Sequence, residues 1–215
     1  NIEKCQLKND MSWVNFAKCK PILCEAEAFD RAVNFAEYVG NALLVVHTTN
    51  EKALNTARRA HEQGLPIYVE TGPHYLTLFD DLYKNENGYL AICSPPLRNS
   101  KEAEALWKGL QDGTISLTGS DDCTFDIDEK SMFLEKNEDG TWKQDFTKVV
   151  NGLSGLEVRL PILLSEGVNK GRLSINKVCA LTSTNIAKIY GCFPQKGVIA
   201  PGSDADIVIV DMEKE

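Results

Sequence analysis

The sequence predicts an α/β fold built on a parallel sheet, and three observations carry that reading. Short strand-like runs, ALLVV (42–46), PIYVE (66–70) and TISLTGS (114–120), alternate with longer amphipathic segments. Such alternation is how βα units lay down a parallel sheet. ALLVV is continuously apolar, the pattern of a strand covered on both faces. Polar residues capable of chemistry follow directly on these runs, where βα folds place their sites.

Taken in order, residues 1–24 show no clean period, so MSWVNFAKCKP is expected to be an irregular lead-in with a few apolar anchors. EAEAFDRAVNFAEYVG (25–40) puts Phe29, Val33, Ala36 and Val39 on one helical face, with Gly40 as its stop. NEKALNTARRAHEQG (50–64) reads as a helix capped by Asn50, with Gly64 beyond its end. SKEAEALWKGLQDG (100–113) reads as another, capped by Ser100. The stretch 121–155 is long, polar and weakly periodic, and loops of that kind tend to be functional or mobile. Two helices follow, GLEVRLPILLSEGV (155–168) and SINKVCALTSTNIAKIYG (174–191). The tail then changes character: a Pro-Gly turn leads into alternating ADIVIVD (205–211), expected to be a strand at the edge of a second, β-rich unit. The expected organisation is therefore a lead-in at 1–24, the main α/β unit at 25–195 and a β segment at 196–215.

Composition narrows the function classes. With 43% hydrophobic and 25% charged residues, the 215-residue chain is expected to be a water-soluble globular protein. A net charge of −8 argues against nucleic acid or an anionic membrane as partner. No apolar run approaches a membrane span, and no charged leader with a cleavage site is visible, so a cytoplasmic location is expected. Seven cysteines without a C-x-x-C pair fit neither a disulfide framework nor a zinc knuckle, and reduced, mostly buried thiols are expected.

His47, Glu70 and Asp121 stand where the three strands end. Imidazole and carboxylate from different parallel strands suit a shared metal ion. The residues alone leave His47 open between a ligand and a hydrogen-bonded loop residue, and Asp121 between a ligand and a turn or cap. Asp122 is expected to be a solvated neighbour and His61 a surface residue, while His74 in GPHYL stays ambiguous. SPPLR (94–98) is stiffened by its prolines and could aim a polar group at a ligand. NGLSGLE (151–157) offers backbone amides ahead of a helix, where a polar ligand could bind.

Together these segments resemble a known family. VVHTTNEKALNTARRAHEQGLPIYVETGPHYLTL, SPPLR, GSDDCTF, the run from DFTKVVNGLSGLE to NIAKIYG, and KGVIAPGSDADIVIVD are similar, in unbroken order from about residue 25, to the hydantoinases and dihydropyrimidinases of the amidohydrolase superfamily. The resemblance implies the C-terminal part of a (β/α)8 TIM barrel, strands six to eight with their helices, plus the start of a small β-sandwich. It implies a site with two divalent metal ions, usually zinc, that hydrolyses the amide bond of small cyclic diamides such as hydantoins and dihydropyrimidines. By motif match, His47 is a metal ligand, Asp121 is a ligand and the catalytic proton carrier, and Ser94 and Asn151 hold the ring substrate. Asp122 stands where the family usually has histidine. The first-strand H-x-H pair, the carboxylated lysine bridging the metals and the fifth-strand histidine have no counterpart here, so this chain by itself is expected to be inactive. The family also implies a homotetramer. Allantoinases, dihydroorotases and the non-catalytic collapsin-response mediators share the fold and are the alternatives.

Overall fold

The computed structural model describes residues 1–213. Its centre is a three-stranded parallel sheet in the order β1–β2–β3, formed by Leu43–Val45, Ile67–Thr71 and Leu117–Thr118. Leu43 pairs with Ile67 and Val45 with Val69, while Glu70 pairs with Leu117 and Thr71 with Thr118. The register sets the strands' C-terminal ends side by side, so residues 46–48, 70–72 and 119–121 gather at one edge.

Helices α3 (Ile22–Val39), α4 (Glu51–Glu62) and α6 (Ser100–Asp112) cover the sheet. Their packed faces bury Phe29, Val33, Leu54, Ala57, Leu106 and Leu110 against Ile67, Val69 and Ile115. Asn50 caps α4 by accepting the Ala53 N–H at 2.9 Å, as its position suggested. Gly40, with φ +70°, ends α3 in the left-handed conformation that a side chain resists. The α6 cap is Asn99 rather than Ser100: its carboxamide oxygen accepts the N–H groups of Lys101 and Glu102.

The structure corrects three further expectations. Residues 1–24 are not irregular: α1 (Ile2–Leu7) and α2 (Val14–Cys19) occupy them, and α3 already starts at Ile22. Six-residue helices are too short to display a period, and tertiary anchors hold them. Trp13 is fully buried, its indole N–H donating to the Glu86 carbonyl at 3.1 Å. β1 is only half-buried, because its edge away from β2 has no strand partner among the described residues. The tail ADIVIVD is not a strand: its described residues make no ladder, and Ile207, Val208 and Ile209 are exposed. An alternating pattern specifies a strand only where a neighbouring strand takes up its backbone hydrogen bonds.

After β3 the helices come in short pieces: α7 (Ile127–Ser131) lies within the long polar stretch, and α8 (Arg159–Ile162) continues into a π-helical turn over Leu163–Asn169. The last predicted helix is three joined pieces, α9 (Ile175–Cys179), a π turn (Ala180–Thr184) and α10 (Asn185–Ile189). The remaining helix, α5 (Pro73–Thr77), follows β2 directly. Among the described residues no helix is long and apolar enough to cross a membrane. All seven cysteines are free, but only Cys93 is buried, so the expectation of mostly buried thiols fails.

Candidate active site

His47 and Asp121 stand just beyond β1 and β3, and both hold positive φ, +42° and +48°. Non-glycine residues enter that region at a cost and concentrate at functional sites. Glu70, at the β2 end between them, is half-buried, and its backbone carbonyl accepts the Thr48 N–H at 2.8 Å. Burial pushes its carboxyl above the ordinary range, and the nearby Asp121 charge adds to the rise. Gly119 makes room for that carboxylate, since a Cβ there would lie 2.6 Å from Glu70 Oε1.

His74, on α5, joins them. It is 5% exposed, and its Nε2 lies 3.8 Å from Asp121 Oδ2, too long for a hydrogen bond. Burial pushes its pKa down to about 4, overriding the pull of Asp121, so the ring is neutral near pH 7 and forms no ion pair. Neither ring nitrogen has a partner among the described residues. An unpaired buried imidazole beside a carboxylate offers donor types that suit a divalent cation. No three His, Cys, Asp or Glu side chains among the described residues converge as a complete metal cage, however.

Ser94 and Asn151 come together from positions 57 residues apart, with the Ser94 Oγ donating to Asn151 Oδ1 at 3.0 Å. Lys20 in turn donates to Ser94 Oγ. An open, mainly apolar cavity of about 580 Å³ has His47, Ser94, Pro95, Lys20, Phe29 and Val45 in its wall. Its floor rests on a buried ion pair, Arg98 Nη2 to Glu25 Oε2 at 3.1 Å, with Thr49 donating to the same carboxylate.

Asp122 is solvated, as expected, while the reading of His61 as a surface residue needs correction. Asp122 is exposed but not idle: its Oδ1 accepts the N–H groups of Gly155 (2.7 Å) and Leu156 (3.1 Å). Those hydrogen bonds hold its carboxyl below the usual range. The amides of the 151–157 loop that seemed open to a ligand are therefore partly occupied from within. His61 is half-buried rather than a plain surface residue, with Nε2 2.7 Å from the Ile67 carbonyl. Lys20, Arg98 and Lys130 were not legible as site neighbours. One signal was available in D-I-D-E, where Asp126 and Glu129 form a reciprocal capping box that starts α7.

The Amidohydrolase family model matches residues 2–215, and the chain belongs to that family. Over 196 residues it is 42% identical to a D-phenylhydantoinase of Escherichia coli O1:K1, covering 91% of this chain and 41% of that protein. It is similar in structure to a dihydropyrimidinase from Brevibacillus agri, with a TM-score of 0.87 and 36% identity over 94% of this chain and 43% of the other. An L-hydantoinase (dihydropyrimidinase) from Arthrobacter aurescens gives a TM-score of 0.84 and 31% identity over the same shares. The chain thus spans about two-fifths of the length of these relatives.

Proposed function

We propose that this amidohydrolase-family chain forms the C-terminal part of a metal-dependent cyclic amidohydrolase of the hydantoinase/dihydropyrimidinase type. In this reading the three strands are the sixth to eighth of a (β/α)8 barrel, and residues 196–215 would join a small β-sandwich only where neighbouring strands pair with them. The observation that carries the reading is the placement of strained His47 and Asp121 at the same C-terminal edge of the sheet, with buried, unpaired His74 3.8 Å from Asp121. The D-phenylhydantoinase relative supports a cyclic diamide as substrate.

His47 and Asp121 would hold part of a site for two divalent metal ions, with zinc suited to imidazole and carboxylate donors. Such ions supply Lewis acidity, lowering the pKa of water toward about 7 and polarising a carbonyl. Asp121 takes a proton from the attacking water and returns it to the ring nitrogen as the carbon–nitrogen bond breaks. Ring opening yields one carboxylate and one free nitrogen terminus. The Ser94–Asn151 hydrogen bond occupies both side chains, which leaves the backbone groups of their loops to hold the flat ring. A homotetramer in the cytoplasm completes the proposal.

Two ligands cannot hold a two-metal centre, so this chain alone is inactive in the proposal. The test is elemental analysis and hydantoin ring opening, run on this chain and on the same sequence joined to the N-terminal portion its relatives carry. The expected result is about two metal ions per longer chain with activity, and little of either on the shorter. Absence of metal and of activity from both would overturn the reading.

A further inference from the structure

Among the described residues Lys130 is the one buried lysine, 4% exposed, and burying an ammonium costs several kcal/mol unless its hydrogen bonds are met. No carboxylate pairs with it among the described residues. Instead its Nζ donates to two backbone carbonyls, Ile92 at 3.0 Å and Gly152 at 2.7 Å. Ile92 lies two residues before Ser94, and Gly152 directly follows Asn151. The same Ile92 carbonyl also accepts the Gly152 N–H at 3.1 Å. The two loops that carry the candidate ring contacts are therefore stitched together beneath Ser94 and Asn151.

The junction has no slack. Gly152 holds φ +153°, and a Cβ there would lie 2.7 Å from the Cys123 carbonyl oxygen. The Cys123 N–H donates to the Leu153 carbonyl at 3.0 Å, tying in the segment that carries Asp121. The groups facing the ammonium are the Cys93 and Cys123 thiols. Hydrogen bonds from a charged donor are the strong kind, and here they fix backbone positions rather than side chains.

We propose that Lys130 is a positioning residue, setting the spacing of the Ser94 and Asn151 loops on which a cyclic diamide is held. The inference rests on the hydrolase reading for the ligand, but the bridge itself does not. In the longer polypeptide, K130M is expected to raise KM for dihydrouracil by about tenfold or more with kcat and metal content little changed. In the same variant the Gly152 amide should exchange faster with solvent while core amides do not. Unchanged KM and Gly152 protection in folded K130M would overturn the proposal, as would a loss of metal and kcat with KM constant. A longer polypeptide of unaltered sequence without ring-opening activity, in which K130M still releases Gly152, would sink the hydrolase reading and keep the bridge. Should K130M not fold, the ammonium of the unaltered chain is observed by NMR. A slowly exchanging Lys130 signal that moves on adding dihydrouracil supports the role. A fast-exchanging or unresponsive signal overturns it.

Discussion

Asp122 closes the loop that carries Asn151, because its carboxylate accepts the Gly155 N–H at 2.7 Å across 33 residues of chain. The neighbouring Asp121 turns the other way, toward His74. Two adjacent carboxylates at a strand end therefore do separate jobs, one inside a loop and one at the candidate site. Replacing Asp122 by alanine should speed hydrogen exchange at Gly155 and Leu156 severalfold and leave exchange in β2 unchanged. Uniform protection in the variant would show that the carboxylate is dispensable to the loop.

Asp121 and His47 give the direct test of the site. In the longer polypeptide, D121N is expected to reduce ring opening by roughly 10²- to 10⁴-fold, the range general acid–base groups contribute. H47A should reduce bound metal, read by elemental analysis. A D121N protein with full activity would remove this aspartate from the mechanism.

The Arg98–Glu25 pair is buried, with side-chain exposures of 8% and 16%. Removing only Arg98, as in R98M, strands the carboxylate and should cost about 3–5 kcal/mol in urea unfolding. The double variant R98M/E25M should recover most of that loss. Equal losses for the single and double variants would mean that packing, not the stranded charge, governs the site.

Lys130 predicts a pH dependence of stability. Burial lowers its pKa from 10.5 to about 8. Between those values the unfolded chain keeps a proton that the folded chain has released, so stability rises with pH through this window. The cost of the buried charge is present in full below pH 8. The urea midpoint of the unaltered chain, taken relative to K130M, should therefore increase from pH 7.5 to pH 10, and a flat difference would contradict the assignment.

Gly109 sits where α6 meets α4 and the residues leading into β3, and an added Cβ would lie 3.0 Å from both Ile115 and Leu54. Both neighbours are fully buried and cannot give way. G109A gains about 1 kcal/mol of helix propensity. Overpacking costs about 1–3 kcal/mol, so the net effect should be destabilising in a thermal melt.

The sequence by itself determined the βα alternation, the caps at Asn50 and Gly40, and the polar residues waiting at the strand ends. Each is a local property, written in apolar spacing or in one residue's backbone preference. Its segments also carry the resemblance that points to His47, Asp121, Ser94 and Asn151. Only the tertiary structure decided what those residues touch. It brought His74 to Asp121 and Lys130 beneath the two loops, through contacts between distant residues that leave no periodic trace. It turned residues 1–19 into two short helices around buried Trp13, and it left ADIVIVD without a ladder, because a strand needs a partner's backbone and alternation alone does not supply one.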